Sequence, residues 1–218
     1  MPSQRHTADR YAAGPSAAGS SVAGSPVAVD DDPLLAAARA CVLDVGLRRT
    51  TLADVARRAG VSRMTVYRQY GDLSAIVSAL LTSELLGLFG TARDEVAGLA
   101  TARERLVQAG VLVVERLSEH PLWRKVLELD PELLLPLVVD RFGTSQRAAV
   151  DLVAEQVAQG QCDGSIRTGD PQLLATCALL TAQSFVFSAR VIAAAHDSEQ
   201  TGQELRRLVD GYLRPDPS

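Results

Sequence analysis

The chain has 218 residues, 47% of them hydrophobic and only 4% aromatic, with a formal net charge of −4. That length allows one mid-sized globular unit or two small ones, and an apolar set dominated by Ala, Val and Leu suits packed helices better than a sheet. The acidic balance argues against a protein that coats nucleic acid with its whole surface, and three cysteines without Cys-x-x-Cys spacing (Cys41, Cys162 and Cys177) argue against a disulfide framework.

Residues 1–30 are rich in Ala, Gly, Ser and Pro, hold no helical or strand period, and are expected to form a disordered tail. A role for that tail as a DNA-touching arm would rest on Arg5 and Arg10. No basic start leads into an apolar run, and no uninterrupted apolar stretch reaches the ~18 residues of a membrane span, so a cytoplasmic protein without a membrane partner is expected. Asp30, Asp31 and Asp32 before Pro33 signal a helix start. That helix carries Leu34, Ala38, Cys41, Val42 and Val45 on one face and stops near Gly46. Short helices over 52–59 and about 63–69 follow. A long fourth helix begins after Asp72, where Leu73, Ile76, Val77, Leu80, Leu81, Leu85 and Leu88 recur at three-four spacing. Further helices are predicted near 102–119, 121–129, 131–142, 145–159, 171–195 and 199–213, with Pro121, Pro131 and Pro171 at helix starts and a glycine-bearing loop over 160–171. The expected fold is all-α: an N-terminal three-helix DNA-binding domain over 31–89, joined by the long helix to a helical body over 90–218.

The stretch Thr50–Tyr70 carries the functional signal. Thr51 with Asp54 has capping-box spacing, with Asp in place of the usual Glu. Leu52, Val55, Ala56 and Ala59 make the inner face of one helix, and Ala56 is small where the next helix must cross. Gly60 supplies a left-handed turn, and Ser62 caps the following helix. This is a helix-turn-helix. At 100° per residue, Val66 and Tyr70 fall inward on its second helix, while Met64 and Arg68 face out, flanked by Thr65 and Tyr67. Arg63 lies at the N-terminus, the end that meets base edges in this motif. Arg can grip guanine, and Thr or Met can meet a thymine methyl. Charge agrees: residues 33–80 hold seven arginines (39, 48, 49, 57, 58, 63, 68) and three aspartates (44, 54, 72), a balance of +4 in a chain of −4, which leaves −8 elsewhere.

A leading helix ending at Gly46, then Thr50-Thr51, Val55-Ala56, Ala59-Gly60-Val61-Ser62 and Thr65-Val66-Tyr67-x-x-Tyr70, resembles the DNA-binding domain of TetR-family regulators over about residues 33–81. The motif also resembles that of LacI-family repressors. Those start with it, however, and follow it with an α/β body; here a full helix precedes it, Tyr67 replaces their serine, and no alternating βα pattern follows. The TetR resemblance implies that Tyr67 touches a backbone phosphate, that Gln69 stands where a phosphate-meeting His is frequent, and that Thr51 is another phosphate contact. The expected DNA-facing set is Thr50, Thr51, Ser62, Arg63, Met64, Thr65, Tyr67, Arg68 and Gln69. Two departures matter: Tyr70 replaces the usual Phe, preserving core packing, and Leu73 replaces a usual phosphate-binding Lys, for which Arg48, Arg49 or Arg68 could compensate.

The resemblance also implies an effector-binding body that dimerises through its last two long helices, here near 145–159 and 171–195. Reading a palindrome needs two heads about one DNA turn apart in any case. Candidate pocket residues are Phe89, Leu112, Arg116, Trp123, Leu127, Leu134, Val138, Phe142 and Phe185, each with core packing as its competing role; they suit a small, mostly apolar effector. His120, before Pro121, is either a polar pocket group or a helix-end residue. The expected function is a ligand-responsive homodimeric repressor on a palindromic operator, the alternatives being control by a protein partner or activation. No metal, cofactor or catalytic residue is expected: the three histidines (His6, His120, His196) lack metal-ligand spacing, and neither a phosphate-binding glycine loop nor a Gly-x-Ser-x-Gly elbow is present.

Overall fold

A computed structural model describes residues 32–129 and 144–217. The described residues form nine helices: α1 (Pro33–Val45), α2 (Leu52–Ala59), α3 (Arg63–Tyr70), α4 (Leu73–Glu95), α5 (Ala102–Glu119), α6 (Pro121–Leu129), α7 (Thr144–Cys162), α8 (Pro171–Ala193) and α9 (Ser198–Leu213). The fold is all-α, with no strand among the described residues. The expected tail over 1–30 and helix over 131–142 lie outside them.

The punctuation predicted for the N-terminal helices is present. Asp32 caps α1, accepting from the Leu34 N–H at 2.8 Å, with Pro33 behind it at the first helical position. Gly60 ends α2 with φ 70° and ψ 25°. The Val61 N–H reaches the Ala56 carbonyl and the Gly60 N–H the Arg57 carbonyl, a Schellman closure that a side chain at Gly60 would strain. Ser62 Oγ accepts from the Thr65 N–H at 3.1 Å and opens α3. At α2 the capping box is half of what the sequence suggests. Thr51 Oγ1 accepts from the Asp54 N–H, but its hydroxyl donates to the Asp54 carboxylate at 2.6 Å, where a longer Glu would reach back to the Thr51 N–H. The complete box stands at α5, between Thr101 and Glu104, a Thr-x-x-Glu signal overlooked in the sequence reading.

Two apolar clusters hold the chain together. One joins Leu34, Ala38 and Val42 of α1, Val55 and Ala56 of α2, Val66 of α3, and Ile76, Leu80 and Leu81 of α4. It also takes in Leu122 and Val126 of α6, each 1% exposed. The other joins Val107 of α5, Val153 and Val157 of α7, Ile166 of the loop that follows, Leu174 and Ala175 of α8, and Leu213 of α9. Each Val, Leu or Ile among them contributes about 1.5–3 kcal/mol on burial. The expected domain boundary at 89/90 therefore falls inside α4, which runs unbroken for 23 residues, ~34 Å at 1.5 Å per residue. Helix α6 packs on both sides: Leu122 and Val126 join the head cluster, while the helix also lies against α5 of the body.

Candidate nucleic-acid interface

The outward face of α3 is built as its period implies. Val66 is fully buried and Tyr70 half-buried, which turns Met64 and Tyr67 to solvent at 62% and 57% exposure. Arg63, Arg68 and Ser62 are exposed beside them, and Thr65 is half-buried with its hydroxyl 2.9 Å from that of Ser62. A short helix holding a Met and a Tyr this far out, between two arginines, presents a surface suited to lie in a groove. Thr51 is exposed at the start of α2. Thr50 is not part of this surface: it is 2% exposed and its hydroxyl donates to the Gly46 carbonyl at 2.8 Å, closing the α1–α2 turn.

The arginines of the head divide into two groups. Arg39 pairs with Glu84, Arg57 with Asp54 at 2.7 Å, and Arg58 with Asp44 at 2.6 Å. Arg49, Arg63 and Arg68 are exposed and make no ion pair among the described residues. The uncompensated charge thus sits on α3 and the α1–α2 turn, a localisation that charge counting along the sequence does not give. Asp54, the acid within the motif, is paired locally with Arg57. The Thr51 hydroxyl, and after it the Arg57 guanidinium, hold its carboxyl below the usual carboxylate range. Thr51→Ala removes the cap and is expected to cost about 1 kcal/mol in urea unfolding; a variant as stable as wild type would show that the cap contributes nothing.

Behind α3 lies a contact that sequence reasoning missed. The Tyr70 hydroxyl donates to Asp32 Oδ2 at 2.5 Å, and Gln69 Nε2 donates to the same oxygen at 3.1 Å. Asp32 therefore caps α1 and grips the C-terminal turn of α3 together. The available signal was Tyr70 itself: a part-buried phenol needs a partner for its O–H. Burial, and after it the bond to Asp32, raise the Tyr70 hydroxyl above its ordinary value of 10.0. A raised folded value means that this stabilisation is whole below about pH 10 and is lost above it, as the unfolded chain ionises first. Tyr70→Phe is expected to lose about 1 kcal/mol near neutral pH and to flatten the alkaline fall of stability. An unchanged alkaline limb in thermal melts would contradict this. Leu73, where the resemblance leads one to look for a cation, is half-buried as the first residue of α4.

A cavity of about 720 Å³ runs through the body between α4, α5, α7 and α8. On α4 its wall extends from Ser78 to Asp94, roughly 24 Å at the helical rise. Leu85, Leu86, Phe89, Val111, Val114, Leu152 and Phe187 make it apolar. Gln146 and Gln183, joined by a 2.7 Å hydrogen bond, add a polar point on α7 and α8, and the lining also includes Arg93 and Asp94 at the C-terminal end of α4 and Arg105 in the first turn of α5. Of the pocket candidates read from sequence, Phe89 and Trp123 line this space. Leu127 packs against the head cluster, and Arg116 pairs with Glu95 at 2.6 Å across α4 and α5. Leu112 and Phe185 are half-buried outside the lining, and Leu134, Val138 and Phe142 lie outside the described residues.

Residues 34–80 match the family model described as bacterial regulatory proteins, tetR family. The chain is 39% identical over 180 residues to the HTH-type transcriptional regulator Rv2250c of Mycobacterium tuberculosis, a match spanning 83% of this chain and 92% of that protein. Among solved structures it is similar to the TetR-family repressor AlkX of Dietzia sp., implicated in biodegradation of n-alkanes (TM-score 0.64, 20% identity, 83% of this chain and 93% of that one). It is also similar to FadR of Bacillus subtilis in complex with stearoyl-CoA (TM-score 0.56, 16% identity, 84% and 98%). An exposed basic recognition helix, a model match over that motif and a relative alike over nearly its whole length lead to one conclusion: the chain belongs to the TetR family of bacterial transcriptional regulators and is a DNA-binding regulator, not an enzyme.

Proposed function

We propose that this regulator is a homodimeric repressor that acts in the cytoplasm, holds a palindromic operator through α3 of each protomer, and releases it when an elongated, mostly apolar molecule of the fatty-acyl kind fills the body cavity. The observation that carries this reading is the double use of α4. Its first half supplies Ile76, Leu80 and Leu81 to the head cluster, and its second half walls the cavity with Leu85, Leu86 and Phe89. A ligand lying along that wall bears on the helix that seats the reading head. It shifts the equilibrium only as far as it binds the released state better.

The shape and lining of the cavity favour a long apolar chain with a few polar contacts, and the stearoyl-CoA complex of FadR shows this fold holding one. In α8, Leu173, Cys177, Leu180, Ser184, Phe187 and Val191 recur at four-three spacing, with Leu173, Leu180, Phe187 and Val191 exposed at 59%, 43%, 37% and 76%. Such a stripe suits helix-on-helix pairing with a second copy. α4 and α8 are each long and apolar enough in composition to cross a bilayer. The cavity wall and this stripe are the uses proposed here for their apolar faces. The test is selection of DNA by the purified full-length protein, followed by titration of the bound operator with stearoyl-CoA and stearate, and with choline as a control. A palindrome released by the acyl probes and not by choline is expected. No enriched sequence would overturn the operator reading; a palindrome held equally in all titrations would overturn the acyl effector.

A further inference from the structure

From Leu73 to Ala92 helix α4 carries a single charged residue, Glu84. Glu84 follows Leu80 and Leu81, which lie in the head cluster, and precedes Leu85 on the cavity wall. Its side chain is only 10% exposed. A carboxylate at such a place costs several kcal/mol unless charges or donors answer it, and two do, from different parts of the fold. Arg39 Nε of α1 stands 2.8 Å from Oε1, and His120 Nε2 stands 3.2 Å from Oε2. His120 is the elbow between α5 and α6: its N–H closes α5 on the Leu117 carbonyl, and its own carbonyl accepts from Arg124 in the first turn of α6. One turn on, Trp123 lines the cavity, while Leu122 and Val126 sit in the head cluster.

The contacts are close but incompletely satisfied. Arg39 Nε and Glu84 Oε1 approach at ion-pair distance off the hydrogen-bonding axis, so charge rather than a directed bond holds them. His120 Nδ1 is buried without a hydrogen-bond partner among the described residues. A network of this kind is strong enough to select one arrangement and weak enough to open.

We propose, resting on the dimeric operator-binding reading above, that Glu84 is a positioning residue which, clasped between Arg39 of the head and His120 of the elbow, fixes the head against the body and so sets the half-site spacing the dimer accepts. Breaking the clasp leaves α3 and its DNA-facing residues untouched. It frees the angle at which each head is presented.

The experiment measures binding of the full-length protein to its selected operator, to versions with one base pair added or removed between the half-sites, and to a single half-site. Wild type is expected to lose about tenfold or more in affinity on either spacer change, because the added pair rotates and displaces one half-site against a rigid dimer. Glu84→Gln is expected to cut that penalty to about threefold or less, with half-site affinity within about twofold of wild type. Arg39→Gln and His120→Gln should each relax the penalty in part. Arg39, 38% exposed, tolerates substitution and carries the test if Glu84→Gln does not fold. A folded Glu84→Gln, or Arg39→Gln in its stead, that keeps the wild-type penalty overturns the proposal alone, as does one that loses half-site binding with the penalty unchanged. A wild type indifferent to spacing overturns the dimeric reading and this proposal with it.

Discussion

Arg68→Ala is expected to weaken operator binding by about 1–3 kcal/mol per half-site, while the melting temperature of the free protein stays within about a degree or two. Arg68 is exposed on the face of α3 opposite Val66 and makes no ion pair among the described residues, so the fold loses little when it is removed. In the proposed dimer two copies act on one palindrome, so the loss would be felt twice. Tyr67→Ala should act in the same direction, since a ring 57% exposed on the same helix supports the head less than it serves an outside surface. Arg58→Ala is the contrasting variant: its guanidinium is already engaged with Asp44 at 2.6 Å, so it should affect stability more than binding. Anisotropy titrations at several salt concentrations separate the possible roles. A phosphate contact lowers the salt slope by about one per copy and weakens all sequences alike; a base contact relaxes the preference at one position instead. Arg68→Ala binding the operator as tightly as wild type would move the recognition surface elsewhere.

The head was largely legible because its cues are local. A cap, a left-handed glycine and an inward Val-x-x-x-Tyr pair each act over a few residues, and Asp32–Pro33, Gly60 and Ser62 act in the structure as those cues direct. Where reading failed, the deciding contact was distant in sequence. Asp32 reads as a helix start, but its grip on Tyr70 spans 38 residues and surfaces only when α1 and α3 pack. Glu84 reads as an ordinary exposed acid on a long helix until α1 and the elbow close over it. Arg39, Arg57 and Arg58 count as basic charge in the sequence, yet each is answered by a carboxylate. Pocket lining was hardest. Periodicity tells that Leu112 and Leu127 face inward, but not whether the inside is solid core or cavity, because that depends on how four helices splay.

Leu180→Glu is expected to separate the proposed dimer. In the protomer Leu180 is 43% exposed, so the substitution disturbs the fold little; in a paired α8 it would stand midway along the stripe from Leu173 to Val191. A two-fold axis there brings the two introduced carboxylates close together in an apolar setting, where each loses hydration without gaining a partner. An apolar anchor near the centre of an interface is worth about 2 kcal/mol or more on its own, and the added repulsion should carry the dissociation constant up by about a hundredfold or more. Sedimentation at micromolar concentration should then show a monomer with an unchanged helical spectrum. Palindrome binding should collapse toward the affinity of one half-site, because the second head no longer arrives with the first. Leu208→Glu on α9 provides the control: Leu208 is 52% exposed but lies off the α8 stripe, so that variant should stay dimeric. If Leu180→Glu remains a dimer of wild-type affinity, the apolar stripe of α8 is not the face on which two copies meet. If Leu208→Glu dissociates as well, α9 shares that face, and the pairing surface is broader than the four-three seam alone.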